Sequence, residues 1–205
     1  MFRLYDSLLS GNCWKIRILL SQLNLEYERI TLDLVRGDTQ QPNFERISRF
    51  SRVPTLVLED GRPIVESGAI LMHLAEGTRF LPGDRHARTE VLSWLFFEQA
   101  DLQKAIAYPR VYNLRGQASQ MAGEIAYRQK DGYSALQKLE NWIGNRDWLV
   151  GNGYTIADTA VFAYVSLAAE GGYQMERYPG ILRWLDDVRS TDGWVPLIEG
   201  TAPSR

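Results

Sequence analysis

The chain has 205 residues, a length that suits one large domain or two small ones, either of which can bury a substantial core. The formal net charge of -2 gives no general electrostatic reason to expect nucleic acid or an acidic membrane as a partner. No apolar run approaches the roughly 18 residues that a membrane-spanning helix needs, and the N-terminal residues predict a strand rather than a signal peptide. We therefore expect a cytoplasmic protein that acts on small molecules, with neither nucleic acid nor a membrane as partner.

Cysteine and histidine are scarce in this sequence. Cys13 is the only cysteine, which excludes an intrachain disulfide, and the two histidines, His73 and His86, are separated from it along the chain. One thiol and two distant imidazoles make a poor set of zinc ligands. We expect no metal cofactor.

Through residue 77 the sequence alternates between strand and helix patterns. The first helix is predicted where Ile16, Leu19, Leu20 and Leu23 recur at helical spacing on one face. The first strand, this helix and the second strand form a βαβ unit, which predicts parallel pairing of the two strands. In chain order, the predicted elements are a strand at residues 2–5, the first helix, a strand at 27–32, a short helix at 42–47, two strands at 55–58 and 63–65 that flank a turn, and a helix at 67–75.

The pattern changes beyond this point. Residues 78–84 carry Pro82 and Gly83 and predict a linker. After the linker, strand signals vanish and amphipathic stretches predict a helical bundle. The predicted helices lie at residues 89–107, 121–143, 156–169 and 181–188. The predicted organisation is an α/β domain at residues 1–77, a linker at 78–84 and an all-helical domain at 85–205.

The segment Ser10-Gly11-Asn12-Cys13-Trp14-Lys15 lies between the first strand and the first helix. Backbone N–H groups at a helix start are unpaired and carry partial positive charge, so they can stabilise an anion such as a thiolate. The alternative is that Ser10 or Asn12 only caps the helix.

Two further segments combine a structural with a functional interpretation. A cis bond at Pro54 would turn the backbone of Val53 toward solvent, where it could pair with a peptide-like ligand; a trans proline that starts a strand is the alternative. Glu66 and Ser67 follow the last strand, where an acid could meet an ammonium group while helix-start amides hold a carboxylate. Ser67 as a plain N-cap is the alternative there.

The segment Thr155-Ile156-Ala157-Asp158 is typical of a capping box, which predicts a structural role at the start of a core helix.

The order and spacing of these motifs together resemble the glutathione transferase family. The resemblance is carried by Ser10 to Arg17, Arg52-Val53-Pro54, Glu66-Ser67-Gly68-Ala69-Ile70 with Leu74, and Thr155 to Asp158. Leu4-Tyr5 followed by Ser10-Gly11-Asn12, together with residues 94–99, is similar to the bacterial nu-class and theta-like branch. This resemblance implies a thioredoxin-like N-terminal domain, a C-terminal helical bundle domain and glutathione as co-substrate. It also implies a transferase that activates the glutathione thiolate for attack on an electrophile or for reduction of a disulfide or peroxide.

The resemblance also implies roles for individual residues. Ser10 donates its hydroxyl to the glutathione sulfur, and Asn12 contributes a backbone or side-chain N–H. The remaining glutathione contacts are Val53 beside a cis Pro54, Glu66 and Ser67 at the γ-glutamyl end, and Arg52 at the glycine carboxylate. Tyr108, Arg110 and Tyr112 are candidates for the pocket of the second substrate. The implied partners are a small electrophile or a disulfide, and a second copy of the chain in a homodimer.

Two other interpretations stay open from the sequence. The same fold serves binding or scaffold proteins that have lost transferase activity. A zeta-like isomerase of the maleylacetoacetate type is the other, although Asn12 stands where that branch has cysteine.

Cys13 could form a mixed disulfide with glutathione, whereas a buried cysteine would be inert. Tyr5 is expected to pack rather than to bind sulfur.

Overall fold

Four short strands rich in apolar residues form a mixed sheet in the N-terminal part of the chain. They are β1 (Phe2–Asp6), β2 (Tyr27–Thr31), β3 (Thr55–Val57) and β4 (Pro63–Val65), in the order β2-β1-β3-β4. β1 pairs with β2 in parallel, as predicted, and β3 lies antiparallel to both β1 and β4. The fully buried side chains of Leu4 and Leu56 sit opposite one another at the centre of this sheet.

Three helices accompany the sheet, namely α1 (Gly11–Gln22), α2 (Pro42–Glu45) and α3 (Ser67–Ala75). The predicted apolar face of α1 is buried at Ile16, Leu19 and Leu20. α3 has the predicted bounds, and it packs against α1. This β-α-β, β-β-α arrangement is the thioredoxin-like fold that the resemblance implied.

The structure, a computed structural model, describes residues 1–198 and divides into two units. The first unit comprises Met1–Thr78 together with the described residues 191–198, and the second comprises Arg79–Ser190. This differs from the predicted boundary, because residues 191–198 were assigned to the helical domain. Residues 199–205, assigned there as well, lie outside the described part of the chain.

Long-range contacts with α1 explain why residues 191–198 belong to the first unit. Trp14 Nε1 donates to the carbonyl of Val195 at 2.8 Å, and Arg17 Nη1 donates to the carbonyl of Leu197 at 2.8 Å. Gly193 has φ +77° and lies so close to α1 that a side chain there would contact its backbone. Contacts of this kind carry no local sequence signal, so a boundary drawn from helical patterning misses them.

The second unit is helical. Its α-helices are α4 (Arg85–Phe97), α5 (Gln103–Leu114), α6 (Ala122–Ile143), α7 (Ile156–Val165) and α8 (Pro179–Arg189). A π-helical turn at Glu98–Leu102 separates α4 from α5, where one helix at 89–107 was predicted. α7 is buried along its whole length and starts at the predicted capping box of Thr155 and Asp158. Within residues 1–198, no helix is both long and apolar enough to cross a membrane.

Candidate functional site

The sheet topology brings three of the segments singled out from the sequence to one end of the first unit. Tyr5, near the end of β1, pairs with Thr55 at the start of β3, and Thr55 pairs with Val65 at the end of β4. The loop from β1 into α1, the residues before β3 and the start of α3 therefore share this end of the sheet. The antiparallel register places Pro54 and Glu66 at neighbouring positions there.

The first helix begins with a capped but open N-terminus. Ser10 is its N-cap residue, and the Ser10 Oγ accepts a hydrogen bond from the Cys13 N–H at 3.3 Å. A hydroxyl that accepts one hydrogen bond still has its own proton to donate. The amides of Gly11 and Asn12 donate to no residue in the described part of the chain. The capping and the anion-binding interpretations of Ser10 are thus compatible.

A hydrogen-bonded cluster of Asn12, Lys15 and Ser67 connects the starts of α1 and α3. Lys15 Nζ donates to Asn12 Oδ1 at 2.8 Å and to Ser67 Oγ at 3.3 Å, and Ser67 Oγ lies 3.2 Å from Asn12 Oδ1. The Lys15 side chain is 0% exposed and that of Ser67 is 3% exposed. The sequence interpretation assigned no role to Lys15. Its spacing of three residues from Asn12, which places both on one helix face, was the available signal.

The start of α3 is unusual in its backbone. Glu66 precedes the helix with φ 72° and ψ 121°, and within the described residues its side chain makes no capping hydrogen bond. Glu66 is therefore the N-cap residue and Ser67 the first helical residue, so the interpretation of Ser67 as a plain N-cap is wrong. The exposed Glu66 carboxylate is suited to pair with an ammonium group. The uncapped start of α3 is suited to bind a carboxylate.

The peptide bond between Val53 and Pro54 is cis. In the described part of the chain, the backbone N–H and C=O of Val53 make no hydrogen bond. Arg52, the residue before Val53, is held by buried Ser48. The Ser48 hydroxyl donates to the Arg52 carbonyl at 3.1 Å and accepts from the Arg52 N–H at 3.3 Å. The Arg52 side chain is exposed. This loop thus presents an unpaired backbone edge and a cation.

Cys13 and Tyr5 are structural. The Cys13 side chain is 0% exposed, and burial, followed by the charge of Asp6, raises the pKa of its thiol well above the ordinary value. A buried thiol of this kind is unreactive. The Tyr5 ring packs against Phe44 with centroids 5.4 Å apart, in agreement with its predicted packing role.

The three residues predicted to line the second-substrate pocket lie on α5. Tyr108 and Tyr112 stack with centroids 6.2 Å apart, and Tyr108 is exposed. Arg110 is only 6% exposed, and its Nε donates to a carboxylate oxygen of Glu170 at 2.7 Å. Tyr108 is exposed and Tyr112 half-buried on this helix, whereas the Arg110 guanidinium is occupied within the helical unit.

Metal chemistry has no obvious seat in the described residues. Within residues 1–198, no group of three or more His, Cys, Asp or Glu side chains is placed to hold a metal ion.

Comparison with known proteins identifies the family. The model of the glutathione S-transferase N-terminal domain matches residues 1–76, and that of the C-terminal domain matches residues 114–192. The disulfide-bond oxidoreductase YfcG of Escherichia coli (strain K12) is 30% identical over 186 residues, covering 87% of this chain and 86% of that protein. Glutathione S-transferase D7 of Drosophila melanogaster is 26% identical over 190 residues, covering 90% of this chain and 83% of that protein.

Solved structures give the same result. A glutathione S-transferase from Pseudomonas fluorescens superposes with a TM-score of 0.95 at 40% identity, covering 97% of this chain and 99% of that one. The chain belongs to the glutathione S-transferase family. This confirms the predicted family, its two-part fold, the enzyme class and glutathione as co-substrate; the nu-class or theta-like branch stays a prediction.

Proposed function

We propose that this protein binds glutathione at the shared end of its first unit and activates the glutathione thiol as a nucleophile, with Ser10 and Asn12 at the sulfur. The observation that carries the proposal is the hydrogen bond between Ser67 and Asn12, which links the starts of α1 and α3. One helix start suits a thiolate and the other suits the carboxylate of an amino acid. Glutathione carries both groups in one molecule.

The remaining contacts follow from the chemistry of the tripeptide. The exposed Glu66 carboxylate pairs with the ammonium of the γ-glutamyl residue, whose carboxylate takes the amides at the start of α3. The unpaired backbone of Val53, beside Pro54, pairs with the backbone of the cysteinyl residue as an added strand does. Arg52 attracts the glycine carboxylate.

The energetic requirement on the sulfur site is small. A free thiol has a pKa of about 8.5, and lowering it by about two units requires roughly 2.7 kcal/mol of preferential stabilisation of the thiolate. A hydrogen bond to a charged group contributes about 1.5 to 3 kcal/mol. The Ser10 hydroxyl, the open amides of Gly11 and Asn12, and the Asn12 side chain together meet this requirement.

Two reactions use the same activated sulfur. In disulfide reduction, the glutathione thiolate attacks one sulfur of a disulfide, a mixed disulfide forms and the other sulfur leaves as a thiolate; a second glutathione then releases the product and oxidised glutathione. In conjugation, the thiolate forms a bond to an electrophilic carbon and displaces its leaving group. The name and 30% identity of YfcG support testing the disulfide first. The scaffold and isomerase alternatives are not favoured by any named relative.

The second substrate, assembly and location are part of the same proposal. The exposed Tyr108 and the half-buried Tyr112 offer aromatic groups for an apolar or aromatic second substrate, and Arg110 supports their helix through Glu170. A homodimer follows from the family resemblance. We place the protein in the cytoplasm, because reduced glutathione is maintained in that compartment.

The test combines calorimetric titration with turnover. Wild type, Ser10→Ala and Ser10→Thr are titrated with glutathione and with oxidised glutathione, and reduction of a small disulfide is followed in parallel. Ser10→Ala should lose rate by roughly 10- to 100-fold while binding weakens less, since a hydrogen bond to a thiolate is lost. Threonine keeps both the hydroxyl and the cap, so Ser10→Thr should retain most of the rate.

Ser10→Ala also removes the N-cap of α1, so the effect of losing a helix cap needs its own control. Asp84 caps α4 by accepting a hydrogen bond from the Ala87 N–H at 2.8 Å, in the other unit. Asp84→Ala should therefore cost similar stability, about 1 kcal/mol, without affecting turnover. Wild-type protein that binds neither form of glutathione at millimolar concentration would contradict the proposed function.

A further inference from the structure

Lys15 is a fully buried lysine whose polar end lies beside Asn12 and Ser67. Its Nζ lies 2.8 Å from Asn12 Oδ1 and 3.3 Å from Ser67 Oγ. Burying a lysine side chain is costly unless its polar end is well bonded. A long apolar residue would fill the same volume at lower cost, so the bonds that this amine makes need a functional explanation.

The donor chemistry of lysine determines which way the Asn12 carboxamide faces. A lysine ammonium donates hydrogen bonds and accepts none. The carboxamide must therefore turn its oxygen, Oδ1, toward Lys15, since the reversed amide would place Nδ2 against another donor. The Ser67 hydroxyl lies on the same side, 3.2 Å from Oδ1. The Nδ2 group, which can only donate, is left on the opposite side of the carboxamide.

We propose that Lys15 is a positioning residue, which fixes the Asn12 carboxamide so that Nδ2 donates a hydrogen bond to the glutathione thiolate. This inference rests on the proposed function and adds to it. It names the donor atom of Asn12 and the residue that holds it. Because Lys15 also bonds Ser67, the same amine links the group that contacts sulfur to the first residue of α3.

The decisive variants are Asn12→Asp and Lys15→Met. Aspartate keeps an oxygen for Lys15 but replaces Nδ2 with a second oxygen, which repels a thiolate. Methionine keeps the length of the side chain and removes the bonds to Asn12 and Ser67. In each variant, the pKa of the bound glutathione thiol should rise by about one unit or more, a roughly tenfold or greater decrease in its acid dissociation constant. The pKa is measured from the ultraviolet absorbance of the thiolate as pH is varied.

Two controls distinguish an effect on the thiolate from a purely structural effect. S-methylglutathione has no ionisable thiol, so its affinity should change less than about threefold in Asn12→Asp if only the sulfur contact is altered. The Lys15→Met change is also made in an Asn12→Ala background. If Lys15 acts through Asn12, its effect on the thiol pKa is largely absent in that background, as a double-mutant cycle would show.

The outcomes separate this inference from the proposed function. Wild-type protein that does not bind glutathione would remove the basis of both. If wild type binds and lowers the thiol pKa, but Asn12→Asp leaves that pKa unchanged, then Nδ2 is not the donor and the inference is wrong. Equal effects of Lys15→Met with and without the Asn12 carboxamide would also overturn it. If Lys15→Met does not fold, the Asn12→Asp titration still tests whether Nδ2 is the donor, and an unchanged thiol pKa there overturns the inference.

Discussion

Glu66 has a strained backbone and a proposed contact with the ligand, so replacing it with glycine should raise stability and lower affinity. Its φ of 72° and ψ of 121° lie outside the regions that residues with a side chain prefer. Such a conformation costs about 1 to 3 kcal/mol, and glycine would adopt it without that cost. Glycine also increases the entropy of the unfolded chain, which takes back about 0.5 to 1 kcal/mol. Glu66→Gly should therefore stabilise the protein by about 1 kcal/mol.

The same substitution should weaken glutathione binding. It removes the exposed carboxylate that we assign to the γ-glutamyl ammonium, a contact worth about 1 kcal/mol at an exposed site, which is roughly fivefold in Kd. Glu66→Ala separates the two effects, because alanine loses the carboxylate but keeps the strained backbone. Urea unfolding gives the stabilities, and calorimetric titration with glutathione gives the affinities.

A matched control is available in the same unit. Asn24 also has a positive φ, of 55°, but it follows α1 at the far end from Ser10. Asparagine tolerates that conformation, so Asn24→Gly should change stability by less than about 0.5 kcal/mol and leave affinity unchanged. Affinity of Glu66→Gly equal to that of wild type would remove Glu66 from the ligand site. Equal stabilities for the glycine and alanine variants would refute the reasoning from strain.

Two further predictions concern the helical unit. Gly132→Ala should destabilise it by about 1 to 3 kcal/mol in urea unfolding, because an added Cβ would lie 2.6 Å from Tyr173 Cζ and displace this buried ring. Gly123→Ala, on the same helix with open space around it, should be neutral or stabilising by up to about 1 kcal/mol. Asp158 is fully buried, and desolvation raises the pKa of its carboxyl to about 6 despite four hydrogen bonds to it. The folded state then holds this proton more tightly than the unfolded state, so the free energy of unfolding falls as pH rises. Between about pH 5 and about pH 7, wild type should lose about 1 kcal/mol of stability relative to Asp158→Asn.

The local parts of the fold were predictable from the sequence. The bounds of α3, the βαβ unit and the capping box at Thr155 each follow from patterns within a few residues of one another. The same holds for Ser10, whose place at the N-terminus of α1 is a cap preference combined with the preceding strand. Short-range patterns are sufficient where the physical cause is itself short-range.

Features that depend on contacts across the chain were missed or placed wrongly. The docking of residues 191–198 on α1 requires Trp14 and Arg17 to meet carbonyls about 180 positions away. The π-helical turn at Glu98–Leu102 interrupts a stretch whose apolar spacing predicted one helix. The role of Lys15 becomes visible only when Ser67 is brought beside it.

The positive φ of Glu66 shows how the two kinds of information combine. A glutamate gives no local reason for this conformation, since glycine or asparagine would adopt it more readily. The conformation is imposed by its position, because β4 must end where it pairs with β3 and α3 must begin where Ser67 reaches Asn12. Under the proposed function, the glutamate at this position costs stability and supplies a carboxylate at the start of α3. The strained residue and the buried lysine both adjoin Ser67, so a change at either should alter the binding or the ionisation of glutathione.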